Sequence, residues 1–186
     1  MRTLIIIGVI AIGTLAWILP ASTPQAVQDF SPYVGADGTI RLPEDFRTWT
    51  FLGTWSIDSD EAAGGAAEFH AVYTQPETAA AYKRTGQFPD GAVLVKELLA
   101  TDTSDMTTGR ASRGTTTKGW FVMVKDSQGR FPDNPLWGDG WGWALFNAGD
   151  RTNTVTKDYA AECLGCHVPA QATDWIYVQG YPILSD

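Results

Sequence analysis

The sequence is poor in histidine, cysteine and positive charge, and each shortage removes a class of function. Two cysteines and two histidines are all it has. His70 stands far along the chain from Cys163, Cys166 and His167, so the four-ligand shell of a structural zinc site is not expected. Thirteen Lys and Arg face twenty-one Asp and Glu, a net charge of −8 that repels a polyphosphate backbone and excludes nucleic acid as a partner. There is no internal repeat, no glycine-rich phosphate loop and no Ser, His and Asp arrangement, which leaves no basis for a nucleotide site or a serine nucleophile.

What is abundant is aromatic. Eight Trp, six Tyr and eight Phe in 186 residues can carry much of the packing of one domain. Leu4 to Leu19 is apolar apart from Gly8, Gly13 and Thr14, follows Arg2 and is closed by Trp17 and Pro20. Its length falls between a signal core and a full span, so residues 1–20 read as a membrane anchor, with a signal segment cleaved near Ala21 and Ser22 as the alternative. Arg2 stays cytoplasmic either way. The remainder is expected in the periplasm, either anchored to the inner membrane or free and soluble. Residues 21–32, rich in Pro, Ser, Thr and Gln, read as a linker, and residues 33–186 as one domain.

Within that domain, Asp37-Gly38 predicts a turn into Thr39–Leu42, and Trp49–Ile57, Phe69–Tyr73, Ala92–Leu99, Trp120–Lys125 and Trp141–Phe146 predict strands. Glu61–Ala67 reads as a loop. Pro76-Glu77-Thr78 opens a short helix over Glu77–Arg84 that Gly86 ends. Pro89-Asp90-Gly91 predicts a turn with proline at its second position. Thr101–Lys118, polar and rich in Thr, Ser and Gly, reads as a mobile loop, and Asp126–Gly140 as a long one. Thr156–Leu164 looks helical. The fold class is therefore α+β: a mostly antiparallel sheet with a few short helices.

Two cysteines in an exported chain would ordinarily suggest a disulfide. Cys163-Leu164-Gly165-Cys166-His167 argues otherwise, because it has the spacing of haem c attachment, two thiols for the vinyl groups and an adjacent histidine for the iron. A thioredoxin-like pair is the rival, but it belongs at a strand-to-helix turn early in a βαβ unit. One covalent haem c, with its iron on His167, is the expected cofactor. Small electron carriers put this motif near the start of a helical chain, and bundle cytochromes need four long amphipathic helices; neither pattern is present.

The order and spacing of further residues resemble the cytochrome P-460 family together with its gas-binding relatives, the cytochromes c′-beta. The resemblance runs from about Asp37 to Leu184. It takes in Gly38, Leu42-Pro43, Phe46-Arg47, Trp49, Gly53-Thr54, Thr85-Gly86, Phe88, Asp90-Gly91, Val95-Lys96-Glu97-Leu98, Lys125-Asp126-Ser127, the attachment motif, Asp174, Gln179, Tyr181-Pro182 and Leu184. It implies a β-rich homodimer with one pentacoordinate haem c per subunit and, in the enzymatic branch, oxidation of hydroxylamine with nitric oxide.

The same resemblance singles out three residues. Lys96 matches a lysine bonded to a haem meso carbon in the enzymatic branch; as a strand residue it shares a face with Ala92, Leu94 and Leu98, and its alternative reading is a snorkelling side chain at a sheet edge. His70 matches a distal arginine, and could be a hydrogen-bond donor to bound ligand, a sixth iron ligand or a structural histidine. Phe121 matches the carboxylate that accepts protons in the enzymatic branch and cannot do that work, which weakens any hydroxylamine-oxidising activity expected here. Met123, on the face of Phe121, reads as distal packing or a ligand. Two functions stay open: an oxidoreductase acting on hydroxylamine or another small nitrogen species, and a haem protein that binds nitric oxide or carbon monoxide or transfers electrons. The partners expected are a small nitrogen or diatomic gas ligand, a redox protein and a second copy of the chain, or a membrane redox complex in which this is an electron-transfer haem subunit.

Overall fold

The computed structural model describes residues 30–60 and 64–185. The N-terminal apolar segment and most of the linker span lie outside the described residues, as do residues 61–63 of the expected loop. Among the described residues no helix is long and apolar enough to cross a membrane.

Six antiparallel strands form one sheet, β1 (Thr50–Asp58), β2 (Ala66–Thr74), β3 (Val93–Met106), β4 (Gly109–Lys125), β5 (Trp137–Gly138) and β6 (Trp141–Asn147), in the order β1-β2-β3-β4-β6-β5. Helix α1 (Pro76–Thr85) joins β2 to β3. Pro76 opens it where a missing N–H costs nothing, Glu77 and the Lys83-Arg84 pair suit the two ends of its dipole, and Gly86 closes it at φ 70°. The following turn is displaced by one residue from expectation. The Ala92 N–H donates to the Pro89 carbonyl at 3.0 Å, so proline stands first and Gly91, at φ 79°, takes the left-handed third position.

Both faces of the sheet are covered, which is why Val93, Leu94 and Val95 are all buried in succession. Val93, Val95, Trp120, Val122, Val124 and Phe146 pack on one face with Ile40, Phe46 and Trp137. Leu94, Met123, Trp141 and Trp143 pack on the other with α1 and the C-terminal residues Trp175, Ile176, Tyr181 and Leu184. Phe30, within the span read as linker, already packs against the first of these cores.

The expected mobile loop over Thr101–Lys118 is a correction. These residues extend β3 and β4 into a two-stranded ribbon that turns at Thr107-Thr108. Polarity suggested a loop, but a ribbon standing clear of the core needs no apolar face. Its register sets Asp102 opposite Arg113, Thr103 opposite Ser112 and Asp105 opposite Arg110, with ion pairs at the first and last and a 2.7 Å hydroxyl bond between. Cross-strand pairs of this kind contribute roughly 0.2–1 kcal/mol each. The long loop from Asp126 also ends earlier than expected, since β5 and β6 are joined by a two-residue turn at Asp139-Gly140, both left-handed at φ 53° and 79°, the hairpin geometry that Asp-Gly favours. The helix expected from Thr156 is confined to a π turn, Ala160–Leu164, running into α2 (Gly165–His167).

Glu97 is the one charged residue of β3 turned into the first core, 2% exposed. Arg47 binds it through Nε at 3.1 Å and again through its guanidinium terminus, and Thr117 and Trp120 donate at 2.8 and 3.3 Å. Burial alone would raise the carboxyl pKa; the Arg47 and Thr117 hydrogen bonds, with Trp120, outweigh it and hold the value below the ordinary 4.5. A depressed folded value contributes stability that is present above the ordinary carboxylate value and lost as pH falls through the folded one. Glu97→Gln is expected to cost about 1.5–3 kcal/mol at neutral pH, with the gap to the unmodified protein closing in acid. Urea unfolding at neutral pH and below the carboxylate range checks this, and a gap independent of pH would contradict it.

Candidate functional site

The sheet face opposite Glu97 gathers the chemistry. Cross-strand pairing sets His70 between Trp55 and Leu98, and Lys96 between Val72 and Phe121. Directly paired residues share a face, so these side chains form one wall. The opposing wall is the C-terminal segment. Cys163 and Cys166, three apart in a helical run, fall on one side of it with His167 following. Between the walls lies a cavity of about 330 Å³ lined by Trp55, His70, Leu94, Lys96, Phe121, Met123, Trp143, Cys163, Cys166, His167 and Tyr177, among others. The volume is within the range of cofactor sites, and the lining is mostly apolar with a few polar groups converging on it.

Each group has a definite state. The His167 Nδ1–H donates to the Trp175 carbonyl at 2.7 Å, since a carbonyl oxygen can only accept, and Nε2 is left with its lone pair. Burial pushes the ring's pKa down, Lys96 adds to this and the Trp175 bond opposes it, so the ring is the neutral imidazole that ligates metals. Trp143 fixes the ring edge-on at 4.9 Å. The Trp175 carbonyl owes its direction to two consecutive left-handed residues, Asp174 at φ 58° and Trp175 at φ 66°. Lys125 anchors that kink with a 2.6 Å ion pair to Asp174.

The two cysteines are free thiols. Burial, with Glu162 and Cys166 adding to it, raises Cys163 to about 11. A thioredoxin-like pair requires the opposite shift. Lys96 reaches its Nζ over the Phe121 ring, 4.4 Å from the centroid, and burial lowers its pKa against the pull of Cys166, Glu68 and Cys163. No ion pair involves it among the described residues. A lysine at a sheet edge would point to solvent; this one faces the cavity. Met123 is 8% exposed, packs in the second core and also borders the cavity.

The chemistry of the donor set suits a haem: two thiols for thioether bonds, a neutral imidazole with Nε2 free and apolar walls for a planar ring. Glu68 was not singled out from the sequence, although its place two before His70 on a strand puts both on one face. Its Oε1 lies 2.7 Å from His70 Nε2, and its other oxygen accepts from Lys118.

A search of curated proteins finds no match to this chain. A family model described as Cytochrome P460 matches residues 43–178, which span every strand, Lys96, His70, Phe121 and the cysteine motif. With more than half of its length matched, the chain belongs to the cytochrome P460 family.

Proposed function

We propose that this chain is an exported mono-haem c protein that takes small nitrogen ligands, nitric oxide or hydroxylamine, at its haem iron. The observation that carries the reading is the cavity that sets two thiols and a neutral imidazole against an unpaired lysine and an aromatic wall. Family membership implies a c-type haem. Cys163 and Cys166 would hold it covalently and His167 would ligate its iron through Nε2. When bound, that group supplies an iron for the ligand and a store of electrons. Phe121 offers an apolar ring and accepts no proton, so that position favours holding a ligand over converting it. Export rests on Leu4–Leu19, and the electron acceptor would be a partner redox protein.

Lys96, facing the cavity, would be a third point of covalent attachment, its amine acting as nucleophile toward the haem when neutral. Forming that bond would join its nitrogen to a ring carbon, one N–H and one C–H hydrogen leaving as protons and two electrons passing to a two-electron oxidant such as a peroxide. The intact holoprotein is then lighter by those hydrogens than polypeptide plus haem. Its reduced absorption band moves far from that of an ordinary haem c, and Lys96→Ala restores the ordinary spectrum. Matching spectra for variant and unmodified protein would refute the bond. Absence of haem after expression with the maturation machinery would refute the reading as a whole.

A further inference from the structure

We infer that Glu68, His70 and Lys118 form a proton-accepting unit on the sheet wall of the cavity, so that the site is built for a protic ligand such as hydroxylamine rather than for a diatomic gas alone. This rests on the haem reading above.

Of the sheet residues lining the cavity, only His70 and Lys96 carry a titratable group. His70 is not held as a satisfied core histidine would be. Its partner is Glu68, from the same face of β2, at 2.7 Å. An ionised carboxylate accepts only, so the bond is Nε2–H to Oε1 and the lone pair is left on Nδ1. Lys118, brought from β4 by the register of the sheet, binds the other oxygen of Glu68 and holds it as the anion. Lys118 is the most open of the three side chains, 54% exposed against 22% for His70 and 16% for Glu68, so one end of the unit meets solvent and the other borders the cavity. A base oriented by a carboxylate that is itself anchored is the recurring arrangement of general-base sites.

The step assigned to it is a proton transfer. An N–H or O–H proton of the ligand passes to His70 Nδ1, the bonding pair stays on the ligand atom, and the imidazolium formed is paired with Glu68. The charged and titratable groups around the ring are Glu68 on β2, Lys96 on β3 and Lys118 on β4. Glu162, Cys163, Cys166, His167, Tyr177 and Tyr181 lie across the cavity; β1 offers only Trp55 and Ile57. Burial lowers the His70 pKa most, Lys96 and Lys118 lower it further and Glu68 opposes them, leaving the ring neutral and able to accept a proton at neutral pH.

The test uses the holoprotein and its Glu68→Gln, His70→Gln and Lys118→Met variants. In the diamagnetic carbon monoxide form, NMR titration of the signal that His70→Gln removes gives the ring pKa. Loss of the Glu68 charge is expected to shift it down, and the acid limb of the hydroxylamine kcat/KM profile should move with it. His70→Gln is expected to lower hydroxylamine turnover, measured with an artificial one-electron acceptor, by about 10²–10⁴-fold. Lys118 lies at the surface, so Lys118→Met should fold; a partial loss of turnover supports the unit. Nitric oxide binding without hydroxylamine turnover in the unmodified protein, or turnover that survives His70→Gln, overturns the inference and leaves the haem reading standing. Failure to attach haem or bind nitric oxide would instead overturn that reading.

Discussion

Cys163→Ala combined with Cys166→Ala and Lys96→Ala is expected to abolish the haem-stained band at the monomer size after denaturing electrophoresis. Both thiols border the cavity, and a covalent bond is what survives denaturation when axial ligation and packing do not. The two single variants should each keep a band, because one thioether suffices to hold the group to the chain. Their environments make them unequal all the same. Cys163 is buried and Cys166 exposed, so truncating Cys163 also empties packed space, at a cost that truncating Cys166 does not incur. Haem retained under denaturing conditions by the double cysteine variant alone is the share held by Lys96, and haem retained by the triple variant would mean that another residue carries the bond.

Lys125→Met is expected to destabilise the protein by about 3–5 kcal/mol, the usual consequence of removing one partner from a buried ion pair. For a domain of this size that corresponds to a fall in Tm of roughly 6–20 °C. The side chains of Lys125 and Asp174 are 12% and 17% exposed, so water replaces the lost partner only in part. Without Lys125 the carboxylate keeps only the Trp141 indole N–H, which lies 3.3 Å from Oδ1, while Oδ2 is buried without a partner. Adding Asp174→Asn should recover much of the loss, because asparagine tolerates the left-handed backbone and leaves no charge buried. Urea unfolding of the three proteins measures both effects. A cost for Lys125→Met below about 1 kcal/mol would class the pair with solvated surface ion pairs.

The parts of this structure that were legible in the sequence are those governed by local period. Lys96 and Leu94 face the cavity while Val95 and Glu97 face the first core, and Phe121 and Met123 separate from Trp120, Val122 and Val124 in the same way. Alternation alone predicts this once a strand is recognised. The cysteine spacing needed no fold at all. The β3–β4 ribbon was missed because it lacks apolar residues, and its signal was charge complementarity across a turn, visible only when Asp102 and Arg113 are set opposite. Glu68 could not be interpreted without Lys118, fifty residues away in the chain. The hold of Lys125 on the loop behind His167 depends on a left-handed kink that residue types do not announce.

The meander has a consequence for the timing of assembly. β1 to β4 pair in chain order, and every strand precedes Cys163, so the sheet wall can form from near neighbours, the fast class of contact. Residues 159–184 dock on β1 and α1 and, coming last in the chain, would close over it afterwards. Until then both thiols would be within reach of a modifying enzyme; in the finished fold Cys163 is shut in. On the haem reading proposed above, attachment would have a window, and variants that speed docking would shorten it and lower haem occupancy without weakening the finished fold.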